Sequence, residues 1–130
     1  MKENIKIGII GLGQRGDVML ENPIIPMMKN GAGIEITAVC DLLPDRVTAA
    51  AEKLEKAGFS RPAELTDYKE LLKIKELDAV YIAVSWEVHA EVAVAAMHAG
   101  KYVGLEAGGA YSIDDCCKLV RAYEETGTEL

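Results

Sequence analysis

The run Gly11-Leu12-Gly13-Gln14-Arg15-Gly16 sets three glycines at the GxGxxG spacing and leaves few side chains with which to grip a ligand. Such a stretch can bind an anion through its main chain, because glycines let a charged group lie against backbone N–H donors where a helix begins. Gly11 allows the tight turn, Gly13 lets a pyrophosphate approach, and Gly16 lets the helix pack close to the preceding strand. Leu12, Gln14 and Arg15 complete the loop as candidate binding positions. Asp41 follows Gly16 by 25 residues, slightly beyond the usual interval for the acidic residue that bonds the adenosine ribose hydroxyls. An aspartate there repels a 2′-phosphate and so favours NAD over NADP. Leu42 and Arg46 join it as candidate contacts, and the nearby arginine offsets part of the repulsion. A second reading of Asp41 stands beside the first: aspartate is common as the cap of a Pro-led helix, and Pro44 follows closely.

Those groups can act together only if strands and helices bring them to one edge. Residues 5–10, Ile-Lys-Ile-Gly-Ile-Ile, form a β-branched run bounded by glycine, as expected of a strand buried on both faces. A helix is expected over 17–21, ended or broken early by Pro23 and Pro26. A second strand spans 34–40, and a helix follows from Pro44 to a stop at Gly58, rich in alanine. Residues 59–65 allow only a brief edge strand, after which Thr66 is expected to cap a helix over 67–73. The spacing then predicts a strand over 78–84, a helix over 88–99 ended by Gly100, a strand over 101–105, and a last helix opened by Ser112 with Asp115 three residues on. Strand and helix alternate with short links, the pattern of a Rossmann-type, doubly wound parallel sheet in three αβα layers. The closing residues, Gly-Thr-Glu-Leu, read as a loop leading toward another strand.

At 130 residues the chain fits one domain, with 50% apolar and 27% charged residues, the balance of a soluble globular protein. A net charge of −7 argues against nucleic acid, which needs a basic face. No apolar stretch is long enough to span a bilayer and no secretory signal is evident, so no membrane partner is expected and the cytoplasm is the expected compartment. Cys40, Cys116 and Cys117 have neither metal-ligand nor CxxC spacing and read as buried thiols in a reducing compartment, with a core role for one of the adjacent pair.

Taken together, GIIGLGQRG, AVCDLLPDRV, DAVYIAVSWEVHAEVAVAAMHAGKYVGLE and YSIDDCCKLVRAYEETGTE resemble the N-terminal domain of the Gfo/Idh/MocA oxidoreductases over nearly the whole chain. The resemblance implies an NAD-binding domain, residues 1–130, normally followed by a C-terminal substrate domain that this chain lacks. It also implies a sugar or polyol substrate and a homo-oligomer at full length. It places Ser85, Trp86 and His89 near the nicotinamide side of the cofactor. A Trp and a His near the carboxyl end of a parallel strand fit that location independently, although Trp86 could simply cover the sheet end and His89 begin a helix. Where the family usually carries Glu-Lys-Pro, this sequence has Glu106-Ala107-Gly108. Glu106 matches the glutamate that approaches the nicotinamide ribose, while Ala107 can neither accept nor donate a proton. No catalytic residue is therefore assigned, and no metal site. The same departure resembles the NAD-dependent glycosidase branch of the superfamily, typified by α-N-acetylgalactosaminidase, which gives an alternative chemistry. A non-catalytic NAD-sensing module is a third reading, since a fold alone does not imply catalysis. Tyr111 is a further acid or base by type, or a residue that packs at a helix start.

Overall fold

The structure, a computed structural model, describes residues 3–130. Five parallel strands run β1 (Ile5–Ile10), β2 (Ile34–Cys40), β3 (Ala63–Leu65), β4 (Ala79–Ile82) and β5 (Tyr102–Leu105), in the spatial order β3-β2-β1-β4-β5. The helices are α1 (Gln14–Met19), α2 (Ile25–Lys29), α3 (Pro44–Lys56), α4 (Tyr68–Leu72), α5 (His89–His98) and α6 (Ile113–Thr126). No described helix is long and apolar enough to cross a membrane.

Alternating side chains of the central strands feed two cores, which makes the three layers. Ile9 and Val39 face α1, α2 and α3, where they meet Leu20, Met28, Val47 and Leu54. Ile10, Cys40 and Ile82 face the other way, onto Leu71 and Leu72 of α4, Val92 and Met97 of α5, and Leu119 of α6. The β1–β2 register shifts between Ile7 and Gly8, whose partners are Ile36 and Ala38, so Thr37 is the extra residue that keeps Ile36 and Val39 on one face.

Several boundaries differ from the sequence expectation. α1 starts at Gln14 rather than Asp17, and the helical path breaks just ahead of Pro23, as the prolines led one to expect. The break lies at Asn22, which is extended (φ −158°, ψ 113°), and a second helix follows as α2 with Pro26 in its first turn. The residue before a proline is pushed out of the helical region, so Asn22 makes a kink that Leu20, Ile25 and Met28 stabilise by burial. Asp67, not Thr66, caps α4 by accepting from Lys69 N at 2.9 Å. β4 stops at Ile82, and a short 3₁₀ turn, Trp86–Val88, leads into α5.

Ser112 caps α6 as expected, accepting from Asp115 N at 3.1 Å, while Asp115 Oδ2 accepts from Tyr111 N at 3.3 Å. Cys116 and Cys117 are both exposed, which corrects the expectation of a core role. The inward stripe of α6 runs through Leu119 and Ala122 and leaves the cysteines outside. Lys101 at the opposite end of the sheet is buried, its Nζ donating to the carbonyls of Ile74 and Leu77 at 2.7 and 2.8 Å. Beyond α6, Val103 N of β5 donates to Glu129 O at 3.2 Å.

Candidate functional site

Crossovers leave β1 toward β2 on one side and reach β4 on the other, so the carboxyl ends of β1 and β4 flank a topological switch point. A cleft of about 550 Å³ opens there. That volume is in the range of small-molecule sites.

Its floor is the glycine loop, and each glycine answers to a different neighbour. Gly11 has φ +98°, and a Cβ on it would lie 2.5 Å from the carbonyl oxygen of Ala83 at the end of β4. A Cβ on Gly16 would overlap the carbonyl oxygen of Gly11, so the first turn of α1 closes onto the loop only without a side chain. A Cβ on Gly13 would meet Arg46 Nη1 at 3.3 Å. The result is bare main chain along the cleft, with the N–H groups of the first helical turn lacking intrahelical acceptors. Asp17 N makes the first helical bond, to Gly13 O at 2.9 Å.

Asp41 ends β2 and is tied to that loop. Its Oδ2 accepts from Leu12 N at 2.8 Å and its Oδ1 from Leu43 N at 2.9 Å, while Arg46 Nη1 stands 3.6 Å from Oδ2. Leu43 is the N-cap residue of α3, so the alternative reading of Asp41 as that cap does not describe the structure. Cys40 beside it is buried, and desolvation, reinforced by the Asp41 charge, pushes its thiol up to about 11; it packs as a neutral group.

Of the residues named from the sequence, Gly11, Gly13, Gln14, Arg15, Asp41, Leu42, Arg46 and Ser85 line this cleft together. Leu12 is buried behind the loop and contributes its N–H to Asp41. Trp86 lies on the far side of the 3₁₀ turn, 60% exposed, with its indole 3.0 Å from where a Cβ of Gly108 would sit. His89 is 1% exposed. Its Nε2 is 2.8 Å from Val84 O and its Nδ1 3.2 Å from Gly109 O, so the ring pins the end of β4 to the segment after β5. A neutral ring donates through one of those nitrogens, and the shorter contact is to Val84.

At the β5 end, Glu106 is held from three directions. Tyr81 Oη donates to Glu106 Oε2, Ala107 N donates to Oε1 at 3.0 Å, and Arg15 Nε of the glycine loop pairs with Oε2 at 3.2 Å. Those contacts, the Tyr81 hydrogen bond first, keep the Glu106 carboxyl below the usual carboxylate range. Burial, with the Glu106 charge, pushes the Tyr81 phenol up to about 12. Tyr81 stands opposite Gly104 of β5, and a Cβ on that glycine would lie 3.6 Å from the ring.

The sequence reading missed the outer wall, which is made by Leu43, Thr66, Tyr68, Val88, Glu91 and Val92. Tyr68 Oη donates to Glu91 Oε1 at 2.9 Å and so bridges α4 and α5 across this wall. The available signal was helical: Val88, Glu91 and Val92 fall at i, i+3 and i+4, one face of the segment entering α5.

Comparison with known proteins agrees with this geometry. The model of an oxidoreductase family with an NAD-binding Rossmann fold matches residues 5–130. A glycosyl hydrolase family 109 protein of Bacteroides thetaiotaomicron is 40% identical over 129 residues, which cover 95% of this chain and 26% of that protein. The chain thus spans about a quarter of the length of the curated relatives it matches. A 3-ketoreductase from Actinomadura kijaniata, solved with TDP-benzene and NADP, superposes with a TM-score of 0.78 at 25% identity, over 98% of this chain and 38% of that one. A dehydrogenase from Bordetella pertussis, solved with NADH and UDP-GlcNAcA, shares the fold with a TM-score of 0.79 at 24% identity, over 97% of this chain and 35% of that one.

Proposed function

The chain belongs to the Gfo/Idh/MocA oxidoreductase family, and from that premise we propose that it is the NAD-holding part of a longer enzyme that moves hydride between a sugar or polyol and the cofactor. The observation that carries the reading is the glycine loop, in which backbone leaves no room for a Cβ on Gly11 or Gly16 and only the end of Arg46 borders Gly13, so that main-chain donors are left bare along the cleft. NAD bound there supplies a hydride acceptor that no protein side chain can replace. Gln14, Arg15 and Gly16 present the donors of the first helical turn toward its pyrophosphate. A carboxylate has about four lone-pair positions. Leu12 N, Leu43 N and Arg46 occupy the protein side of Asp41, and a ribose hydroxyl can donate to what remains. A 2′-phosphate would instead meet the Asp41 charge, which supports a preference for NAD. Glu106, held by Tyr81, Ala107 N and Arg15, lies outside the cleft lining and is tied to it through Arg15, from where it would act as a positioned acceptor for the nicotinamide ribose.

A second reading, redox-neutral cleavage of a glycoside with the hydride returned to the sugar, is favoured by Ala107 and by the 40% identity to a family 109 glycosyl hydrolase. Both readings leave the proton-transfer groups to residues beyond these 130, and they share one test of the cofactor site. Calorimetric titration with NAD and NADP is expected to show tighter NAD binding, with the preference lost in Asp41→Ala. A folded chain that binds neither, or that favours NADP, overturns the assignment. In the longer protein, NADH accumulating with a free sugar marks the dehydrogenase, while aglycone release without net NADH marks the glycosidase.

A further inference from the structure

Resting on the cofactor reading above, we infer that the Tyr68–Glu91 bridge selects the base at the outer end of the cleft, with Glu91 accepting from the exocyclic amine of adenine. The cleft has a definite sense along its length. Asp41 marks the ribose position, Gln14 and Arg15 mark the phosphates, and the lining toward the edge strand β3 includes Leu42, Leu43, Thr66, Tyr68 and its partner Glu91. Leu42 and Leu43, from the β2–α3 turn, are apolar surfaces suited to the face of a flat ring. Leu42 is 85% exposed although it is a large aliphatic residue, which is what a residue that covers a ligand looks like in the free protein.

The rim of that slot is polar and already oriented. Tyr68 is the first residue of α4 and Glu91 lies in the first turn of α5, so their positions are set by two helix starts rather than by a flexible loop. The phenol donates to Oε1 of Glu91, which fixes the plane of the carboxylate and leaves Oε2 as an acceptor. Burial, reinforced by the Glu91 charge, pushes the Tyr68 phenol up to about 12, so it stays a donor throughout the physiological range. A rim presenting a fixed carboxylate acceptor suits a base that offers an amine. Hypoxanthine places a carbonyl oxygen at the same position, and that oxygen would face the carboxylate without a proton between them.

The experiment is a calorimetric comparison of NAD with nicotinamide hypoxanthine dinucleotide, in which an oxygen replaces the amine at C6 and the adjoining N1 gains a hydrogen, on the wild-type chain and on Glu91→Gln, Tyr68→Phe and Glu87→Gln. We expect the wild type to favour NAD by roughly tenfold, modest for a hydrogen bond to a charged group because Glu91 is solvent-accessible. Glu91→Gln, whose amide can either donate or accept, is expected to bring the ratio within about twofold. Tyr68→Phe is expected to fall between, because it frees the carboxylate without removing it. Glu87→Gln, an exposed acid outside the cleft lining, is the control and keeps the wild-type ratio. A Glu91→Gln chain that binds both dinucleotides at the wild-type ratio, or a wild type with no preference, overturns the inference while leaving the cofactor reading standing. A folded wild type that binds neither dinucleotide overturns both.

Discussion

The cleft is floored by main-chain donors fixed by glycine geometry, whereas the neighbouring β5 side, outside the cleft lining, is built from side chains that hold one another. Gly11, Gly13 and Gly16 act by having no Cβ, and their positions follow from strand and helix packing. Tyr81, Glu106 and Arg15 act through one shared carboxylate, and His89 through two carbonyl oxygens contributed by different segments. The contrast separates two ways of building a site: one fails by collision when a methyl group is added, the other by loss of partners when a polar atom is removed. The first should therefore break steeply and the second by degrees.

The steepest effect is expected for Gly16→Ala, whose methyl would fall on the backbone oxygen of Gly11. Unfolding by urea should show a loss of about 4 kcal/mol, with dinucleotide binding abolished, since neither backbone can move without opening the loop. Gly109→Ala is the matched comparison on the β5 side. With φ +41° and open space around its Cβ position, it should cost only about 1 kcal/mol of backbone strain. Equal costs at the two glycines would dissolve the contrast. Next in size comes His89→Phe, which preserves ring volume and strips the donor from Val84 O or Gly109 O; about 2 kcal/mol is expected, for an unpaired buried acceptor. Dinucleotide affinity measured on the folded fraction should change much less than stability, and the reverse pattern would make the ring a ligand contact.

The smallest effect is expected for Tyr81→Phe, about 1 kcal/mol at neutral pH, and its signature is its pH dependence. The folded Glu106 carboxyl is held below its usual range, first by the Tyr81 hydrogen bond, so this contribution is complete above the ordinary carboxylate value. It is lost as pH falls through the lower folded value. The melting temperatures of wild type and Tyr81→Phe should thus differ at pH 7 and converge on acidification below the ordinary carboxylate range. A gap that persists to low pH would mean that the phenol packs rather than orients the carboxylate.

The same division explains what could be read in the chain beforehand. Glycine spacing encodes backbone geometry locally, so the loop, its strand and its helix were legible in ten consecutive residues, and Asp41 followed from its place at the end of β2. The β5 side and the outer wall depend on pairs separated along the chain: Tyr81 and Glu106 by 25 residues, Tyr68 and Glu91 by 23, His89 and Gly109 by 20. Nothing in the type of either partner announces the other. His89 was singled out as a polar group near a strand end, but its burial against two carbonyls is a property of how α5 seats on the sheet. For Cys116 and Cys117 the signal was present and misweighed, since Leu119 and Ala122 already define the inward stripe of α6. The break between α1 and α2 was legible from Pro23, whereas the second helix beyond it was not, because it depends on buried apolar residues on either side of the bend.

Both arginines that line the cleft are already paired, Arg46 with Asp41 and Arg15 with Glu106, within a chain whose formal charge is −7. No unbalanced positive field then extends from the mouth into solvent, and the attraction felt by an anionic ligand begins only at contact distance. At longer range the ligand meets a like-charged body. Added salt, which slows association with basic clefts by screening attraction, should here screen repulsion and leave the encounter rate level or faster. Capture by this cleft is governed by shape at the loop rather than by guidance from afar.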